Sequence, residues 1–516
     1  MIYLVSLYQD LFNSTEYELI TVEKSLEIMK NWNIVQADSE TSGKDPHISK
    51  LLCFQFGNKE GTIQIVVDCS TIDIRSYKHI LEEKYLIFQN GKFDLQFLYN
   101  YHIIPRKVYD TMIVEQLLYL GYPSGIAVSK EEYNKYNYTF PYHEFYNEKT
   151  LETTYTLSYA LDAIVQKRLH KHLDKTVRGE IIWRGLDERV ILYAAKDVQL
   201  LYAVVQSQMK DCKEKGCTKG AKLECDFVPV IAYLEWCGIK LDENKWKNKM
   251  IADKEHLEKA TKALNDYVVS NPKLKKFTWI DTEGNLWTGY DLTPKCTVNW
   301  SSSKQVCEVA KVLGFNVVTQ DKKTGKDKES VLEKFLKMQK GIDDKFLELY
   351  FDYQEASKVV SSFGQGHLNA INPNTGRIHT VYRQLGAASG RMSCGSQQPN
   401  TELAKLKGLM AKECTFPNMQ QLPSDEITRA SFVANKDNLL VDCDFSALES
   451  RLGADIYKEK AMQEEFLHGS GDMHSLCAKM VFSDELKDID VKDIKSKRPD
   501  LRKKVKPIEL DCEDSL

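Results

Sequence analysis

Apolar residues near the N-terminus recur in short runs that are separated by polar residues. Residues Ile34–Ala37, Leu51–Phe56, Thr62–Val67 and Tyr85–Phe88 are rich in β-branched and aromatic side chains, which is typical of strands. Apolar side chains then recur at helical spacing over Phe93–Tyr101. Strands that alternate with helices in this order predict an α/β domain built around one sheet.

A further strand–helix junction lies far along the chain, in the sequence NLLVDCDFSALESRLGA. The apolar run Leu439–Val441 predicts a short buried strand, and Asp442 and Asp444 follow it on one face. Apolar residues at helical spacing begin at Leu448. A carboxylate beside such a turn can hold a hydrated divalent cation against a phosphate, although one junction of this kind is more often an ordinary solvated turn.

Composition narrows the class of protein. A chain of 516 residues with 42% apolar residues can bury two or three cores, so several domains are expected. The net charge of −4 gives no overall basic field, so DNA binding would depend on local lysine and arginine patches. The 13 cysteines lack Cys-x-x-Cys spacing and are typical of core residues in a reducing compartment. We find no positive leader and no apolar run near the ~18 residues of a membrane span, so an intracellular protein is expected.

Three acidic features stand out in the first third of the chain. Asp38 and Glu40 lie two residues apart at the end of a predicted strand, so their side chains share a face. Asp94 opens a helix after a strand, and Tyr193 and Asp197 lie four apart on one helical face. Each feature alone is more often plain surface, but carboxylates that converge repel one another unless divalent cations bind between them. Together they predict a site in which two cations activate water for attack on a phosphodiester.

These features resemble the three motifs of the DEDD 3′–5′ exonucleases, in the subgroup that carries a tyrosine. The resemblance implies a ribonuclease H-like mixed sheet with helices over residues 1–210. It also implies that Mg²⁺ ions, with Mn²⁺ as an alternative, are bound by Asp38, Glu40, Asp94 and Asp197. Tyr193 would position the attacking water. Residues 123–150 form an apparent insertion to which no role is assigned.

The segment DFSALESRLGA resembles the first palm motif of family A DNA polymerases, Asp-Tyr-Ser-Gln-x-Glu-x-Arg. By this resemblance Asp444 binds a catalytic metal and Glu449 screens the 2′ carbon of the nucleotide sugar. Phe445 and Ala447 depart from the motif, because they lack the tyrosine hydroxyl and the glutamine amide. The implied fold is an α+β partial polymerase domain with a helical thumb, an antiparallel palm sheet and the start of the fingers.

Other segments resemble DNA-binding and nucleotide-binding motifs of the same family. SGRMS and PNMQQLP place Arg391 and Gln420 against the primer–template, with residues 394–416 as an insertion between them. LRKKVKPI places Arg502 and Lys506 on the triphosphate of the incoming nucleotide.

The resemblances predict an order of domains along the chain. The predicted domains are an exonuclease domain (1–210), a charged linker (211–222), the polymerase N-terminal part and thumb (223–370), the palm (371–470), the start of the fingers (471–508) and a tail (509–516). In the thumb, Lys322 and Lys323 are expected to contact DNA phosphates, although lysine runs are usually solvated surface. The resemblance stops after Ile508, and no His-Asp-Glu turn supplies a second palm carboxylate, so the polymerase module is expected to be incomplete in this sequence.

The sequence therefore predicts a family A DNA polymerase with a proofreading exonuclease, which in this form acts mainly as a metal-dependent 3′–5′ exonuclease. The expected partners are primer–template DNA, single-stranded 3′ ends, deoxynucleoside triphosphates and a second polypeptide that carries the rest of the fingers and palm. The expected location is the cytoplasm of a bacterium or of a phage-infected host. The alternative is a non-catalytic DNA-binding half of a split polymerase. A single-subunit RNA polymerase is disfavoured because Glu449 would crowd a ribose 2′-hydroxyl.

Overall fold

The computed structural model describes most of the chain. The described residues are 1–8, 14–121, 152–174, 179–280, 293–320 and 327–505, together with 128–129, 131, 142–147 and 177. The chain divides into two compact units, Met1–Asn435 and Lys436–Leu516. Within the described part, no helix is both long and apolar enough to cross a lipid bilayer.

Seven strands form one mixed sheet in the first unit. They are β1 (Ile2–Val5), β2 (Glu18–Leu19), β3 (Ile34–Thr41), β4 (Leu51–Asn58), β5 (Gln64–Asp68), β6 (Tyr85–Phe88) and β7 (Val108–Asp110). Their order across the sheet is β2-β1-β5-β4-β3-β6-β7. Strand β4 is antiparallel to both β3 and β5, whereas β6 is parallel to both β3 and β7. A mixed sheet with helices was predicted for this part of the chain and is confirmed, and each of the four predicted strands overlaps an observed one.

Helices cover both faces of this sheet. They are Val22–Met29, Lys78–Glu83, Lys92–Tyr99, Thr111–Leu118, Leu161–Leu169, Ile181–Arg184, Glu188–Asp197 and Leu201–Glu214. Ile65 and Val67 share an apolar cluster with Phe54, while Val66 between them belongs to another cluster with Cys53. Successive strand residues point to opposite faces, so apolar residues at consecutive positions require cover on both sides. In the region of the predicted insertion, Glu152–Leu157 pairs antiparallel with Val128–Ser129 and with Tyr142–Asn147.

The predicted linker at residues 211–222 is wrong as a description of local structure. The helix Leu201–Glu214 and the helix Thr218–Cys237 include all but three of these residues. Cys212 and Ala221 are buried in a single apolar cluster, so the small apolar residues of this stretch pack inward. The charged residues that indicated a linker form the outer surface of packed helices instead.

The helix Thr218–Cys237 ends at Gly238, the glycine stop expected from the sequence ECDFVPVIAYLEWCGIK. This residue has a φ of +58°, and an added Cβ would lie 2.6 Å from the carbonyl oxygen of Ile378. Glycine is therefore required here both by the left-handed backbone and by the close approach of the neighbouring chain. Strand Lys240–Leu241 follows and pairs antiparallel with Phe432–Val433.

The rest of the first unit is mainly helical. Its helices are Glu243–Ser270, Ser303–Leu313, Glu333–Lys337, Asp344–Ser362, Gln365–Asn369, Thr401–Lys407 and Glu426–Ala430. Short antiparallel pairs complete it: Thr278–Trp279 with Lys295–Cys296, Val318–Gln320 with Asp327–Glu329, Ile371–Asn372 with Arg377–Ile378, Tyr382–Arg383 with Ser393–Cys394, and Ser396–Pro399 with Thr415–Phe416. The long helices Glu243–Ser270 and Asp344–Ser362 pack against each other around an apolar cluster that includes Leu264, Trp300 and Phe346.

The second unit has helices in its described part from Leu448 onward. Its helices are Leu448–Ile456, Lys460–His468, Met473–Val481, Ser483–Leu486 and Val491–Lys497, and residues 499–505 are also helical. A small core contains Ala478, Leu486, Ile494, Leu501 and Val505.

The strand predicted at Leu439–Val441 is absent, and so is the buried environment expected for it. Leu439 is 88% exposed and Val441 82% exposed, in irregular backbone that leads to Asp444. Among the described residues no other strand lies alongside this run, and an unpaired strand would leave its peptide groups without partners. The helix predicted to begin at Leu448 does form, as Leu448–Ile456.

Candidate active site

Three predicted metal ligands meet at strand β3. Asp38 and Glu40 lie on one face of this strand, two residues apart as predicted. Asp197 ends the helix Glu188–Asp197, which packs against β3, β4 and β5. This helix begins at Asp187, whose carboxylate accepts a hydrogen bond of 2.9 Å from the backbone N–H of Val190.

The carboxylates of Asp38, Glu40 and Asp197 each offer an oxygen that lies within 4.8 Å of the other two. Asp197 is buried, while Asp38 and Glu40 are partly exposed. No other group of three possible metal-binding side chains comes together in this way among the described residues. Three carboxylates this close repel one another, and oxygen ligands are those that hard divalent cations such as Mg²⁺ prefer. The arrangement therefore fits a divalent-cation site that opens to solvent on one side.

Tyr193 lies one helical turn before Asp197 and forms a side-chain hydrogen bond with it. The tyrosine is buried, and burial raises the pKa of its hydroxyl well above the usual value. The negative charges of Asp197 and Glu40 raise this pKa further. Tyr193 therefore keeps its proton at neutral pH and can act as a hydrogen-bond donor beside the carboxylates.

Asp94 lies outside this group of three carboxylates, although the sequence placed it among the metal ligands. It lies in the first turn of the helix Lys92–Tyr99, it is buried, and it accepts a hydrogen bond of 2.5 Å from the Ser39 hydroxyl. Burial raises the pKa of Asp94 to about 8; the hydrogen bond from Ser39 opposes this shift, and the charge of Glu40 adds to it. The Ser39 side chain lies on the strand face opposite that of Asp38, because successive strand residues alternate between faces. Asp94, which bonds to Ser39, is therefore on that side of β3. Direct metal binding by Asp94 stays a prediction.

Two polar residues beside the site, Gln55 and Ser39, were not predicted from the sequence. Gln55 lies on β4 directly opposite Asp38, and its side-chain amide donates a hydrogen bond of 3.1 Å to the Asp38 carboxylate. Ser39 binds Asp94, as described above. A glutamine inside the otherwise apolar run LLCFQF was the available signal for Gln55. Its partner could not be identified without the strand register.

The polymerase-like residues of the second unit line one cleft of about 870 Å³. Asp444, Glu449 and Arg502 are all in its lining, together with Lys492 and Lys495, which the sequence analysis did not single out. Lysines beside a carboxylate-lined cleft add positive charge that suits a phosphate-bearing ligand.

Arg502 is held in this cleft by a two-pronged ion pair. Its Nε and one terminal nitrogen donate to the two oxygens of Asp472 at 2.8 and 2.9 Å. Burial alone would raise the pKa of Asp472, but the hydrogen bonds from Arg502 and Ser475 lower it to about 2. The predicted triphosphate ligand Arg502 is thus already oriented by an acid.

The two predicted DNA-binding motifs of the first unit meet across the insertion that separates them. The side-chain amide of Gln420 donates a hydrogen bond of 3.3 Å to the carbonyl oxygen of Met392, next to the exposed Arg391. The other predicted DNA and triphosphate ligands, Lys322, Lys323 and Lys506, lie outside the described residues.

Two family models match separate parts of the chain. A family model described as 3′-5′ exonuclease matches residues 15–212, and one described as DNA polymerase family A matches residues 288–509. These matches support a DNA polymerase of family A that carries a 3′–5′ exonuclease domain. Both segments that resembled known motifs in the sequence therefore fall inside matched regions.

Two relatives match nearly the whole length of the chain. DNA polymerase I of Aquifex aeolicus is 24% identical over 502 residues, which cover 92% of this chain and 69% of the relative. DNA polymerase I of Borreliella burgdorferi is 22% identical, with 91% of this chain and 44% of the relative covered. The chain thus spans less than half of the Borreliella relative.

A solved structure shows a similar fold. It is the POL domain of Pol1 from M. smegmatis in complex with DNA primer-template and dNTP, with a TM-score of 0.62 and 16% sequence identity. The match covers 98% of this chain and 70% of the solved chain.

Proposed function

We propose that this chain removes nucleotides from the 3′ ends of DNA in a reaction that requires Mg²⁺ or Mn²⁺. The observation that carries the proposal is the meeting of Asp38, Glu40 and Asp197 within 4.8 Å, inside the segment that matches the exonuclease family. Carboxylates at this separation suit a site for divalent cations. Bound there, such cations would supply an activated water and stabilise the leaving 3′ oxygen.

The residues of the chain have separate tasks in this proposal. Asp38, Glu40 and Asp197 hold the cations, and Gln55 fixes the orientation of the Asp38 carboxylate through its hydrogen bond. Tyr193 directs its single hydroxyl proton at Asp197, so its oxygen can accept a hydrogen bond from the attacking water and hold that water in line with the phosphate. Asp94 supports this arrangement from the other face of β3 through Ser39.

The direct test follows a single-stranded oligonucleotide labelled at its 5′ end. We expect stepwise shortening from the 3′ end with Mg²⁺, none with a chelator, and a loss of several orders of magnitude in Asp38→Ala. The matched control is Asp73→Asn, which removes an acid of the same domain that pairs with Arg75 at 2.5 Å on the surface. Activity of Asp38→Ala within about tenfold of wild type would count against the proposed site.

We also propose that the cleft of the second unit binds a deoxynucleoside triphosphate and takes part in nucleotidyl transfer. Asp444 would bind a metal, Glu449 would face the sugar, and Arg502 and Lys506 would contact phosphate oxygens. What supports this is the cleft that Asp444, Glu449 and Arg502 line together, within the region that matches the polymerase family. Arg391 and Gln420 are proposed to contact primer–template DNA.

This second proposal can be tested by binding alone. Arg502→Ala should weaken the binding of a fluorescent deoxynucleoside triphosphate to the protein. The matched control is Arg498→Ala, because Arg498 lies four residues earlier and pairs with Asp500 at 2.9 Å. Equal affinity of the two variants for the deoxynucleoside triphosphate would show that Arg502 does not contribute to nucleotide binding. Retained DNA binding with no shortening of the labelled strand would favour the alternative, a DNA-binding half completed by a second chain.

A further inference from the structure

The insertion at residues 394–416, for which the sequence suggested no role, lies between the exonuclease sheet and the polymerase part of the first unit. It consists of the strand Ser396–Pro399, the helix Thr401–Lys407, a short turn of helix at Ala411–Glu413 and the strand Thr415–Phe416. The two strands pair antiparallel and close the segment on itself. We call residues 394–416 the brace segment.

One end of the helix in the brace segment is fixed to the polymerase part. The ammonium group of Lys407 donates hydrogen bonds to three backbone carbonyl oxygens, those of Leu368 and Asn369 at 2.9 Å and that of Ile371 at 3.1 Å. Three backbone acceptors around one ammonium group leave the helix little freedom to slide.

The other end of this helix binds the loop that joins β3 to β4. Glu402 accepts hydrogen bonds from the backbone N–H groups of Lys44 and Asp45 at 2.5 and 2.9 Å and from the Ser49 hydroxyl at 2.7 Å. Ile48 of the same loop packs against the apolar cluster of the brace segment. One carboxylate therefore satisfies three donors of a loop that has no regular structure of its own.

The close fit of this loop also explains a glycine. A Cβ added at Gly43 would lie 2.3 Å from the Ser49 hydroxyl oxygen and 2.8 Å from the Glu402 carboxyl group. A side chain at this position would displace the Ser49 hydroxyl and the Glu402 carboxylate from the positions in which they bond to each other.

The loop begins directly after the metal-binding end of β3. The pairing of β3 with β4 shifts register between Glu40 and Thr41, so the pairing is irregular beside a proposed metal ligand. Irregular pairing next to an active site can re-aim a side chain. Here the chain reaches Gly43 three residues after Glu40, and the next two residues, Lys44 and Asp45, donate to Glu402.

We propose that Glu402 is a positioning residue for the exonuclease site: it anchors the β3–β4 loop and so fixes the direction in which Glu40 points. This inference rests on the proposed metal site at Asp38, Glu40 and Asp197. It assigns the brace segment the task of holding the exonuclease ligands in place from the polymerase side of the chain.

The test uses readouts that do not depend on hydrolysis. Mn²⁺ affinity is measured by calorimetry and amide hydrogen exchange is followed over residues 40–50, in the full chain. Glu402→Ala should speed exchange in this loop and weaken Mn²⁺ binding severalfold, which is less than the roughly 10–100-fold typical of residues that bond a ligand directly. Glu402→Gln keeps one acceptor oxygen and should fall between wild type and Glu402→Ala. Gly43→Ala should reproduce the effect from the loop side.

The matched control lies within the brace segment itself. Glu413→Gln alters a carboxylate that accepts from the backbone N–H of Met410, 2.9 Å away within the same segment, and should leave Mn²⁺ affinity unchanged. The positioning role is overturned if Glu402→Ala loosens the loop but binds Mn²⁺ as tightly as wild type, or if Glu413→Gln weakens binding equally. A further outcome separates the two proposals. If Glu402→Ala binds Mn²⁺ more weakly than wild type but the wild-type protein hydrolyses no DNA, the positioning role stands and the proposed exonuclease function is refuted.

Discussion

Replacing Asp197 by asparagine should have opposite effects on activity and on the stability of the metal-free protein. Two charges 4.8 Å apart repel by about 1 kcal/mol in water and by about 3 kcal/mol at an effective dielectric constant of about 20. Asp197→Asn removes two of the three repulsive pairs, which amounts to about 2 to 7 kcal/mol. Because Asp38 and Glu40 are partly exposed and screened by solvent, we expect the free energy of unfolding of the metal-free protein to rise by about 2 kcal/mol.

The gain should be visible as a higher melting temperature in the presence of a chelator. At about 2–4 °C per kcal/mol, the variant should melt roughly 4–8 °C above wild type, and Mg²⁺ should stabilise it less. Its exonuclease rate should fall at least about 10³-fold, a barrier increase of about 4 kcal/mol. The asparagine side-chain oxygen can still accept from Tyr193, so the helix should stay in place. A lower metal-free melting temperature, or a rate within tenfold of wild type, would refute this reasoning.

Further substitutions probe the surroundings of the two sites. Tyr193→Phe should lower the exonuclease rate by about 10–100-fold, less than Asp197→Asn, with the Mg²⁺ dependence of the rate unchanged because the ligands remain. Gln55→Leu should raise the Mg²⁺ concentration needed for half-maximal rate by about tenfold, because Asp38 loses its orienting donor; an unchanged midpoint would contradict this. The pKa of Asp472 is lowered from 3.8 to about 2 in the folded protein, so its ion pair stabilises the second unit above pH 3.8 and this stabilisation is lost as the pH falls through 2. Hydrogen exchange over residues 472–481 should therefore accelerate between pH 4 and pH 2 beyond the intrinsic rate change, and Asp472→Asn should abolish that pH dependence.

Local spacing along the chain was enough to predict much of the exonuclease site. The two-residue separation of Asp38 and Glu40 places both on one strand face, and the four-residue separation of Tyr193 and Asp197 places both on one helical face. These relations follow from the repeat of a strand or helix and need no neighbour. The end of the helix at Gly238 is local in the same way, because its positive φ excludes most side chains.

Tertiary structure decided what depends on partners distant in sequence. Asp94 accepts a hydrogen bond from Ser39 and lies outside the group of three acids. Gln55 can bond to Asp38 because the register of β3 and β4 places the two residues opposite each other. The run Leu439–Val441 has the composition of a strand but no neighbouring strand in the described structure, so its backbone does not pair.

The brace segment depends most strongly on tertiary structure. Nothing in its sequence predicts that Glu402 binds the β3–β4 loop. Ser49 of that loop, which donates to Glu402, lies 353 residues earlier in the chain. The sequence alone thus determined which side chains share a face within one element, because that follows from backbone geometry. Only packing determined which elements meet, because contacts between elements depend on the whole arrangement of apolar surfaces and hydrogen-bond partners.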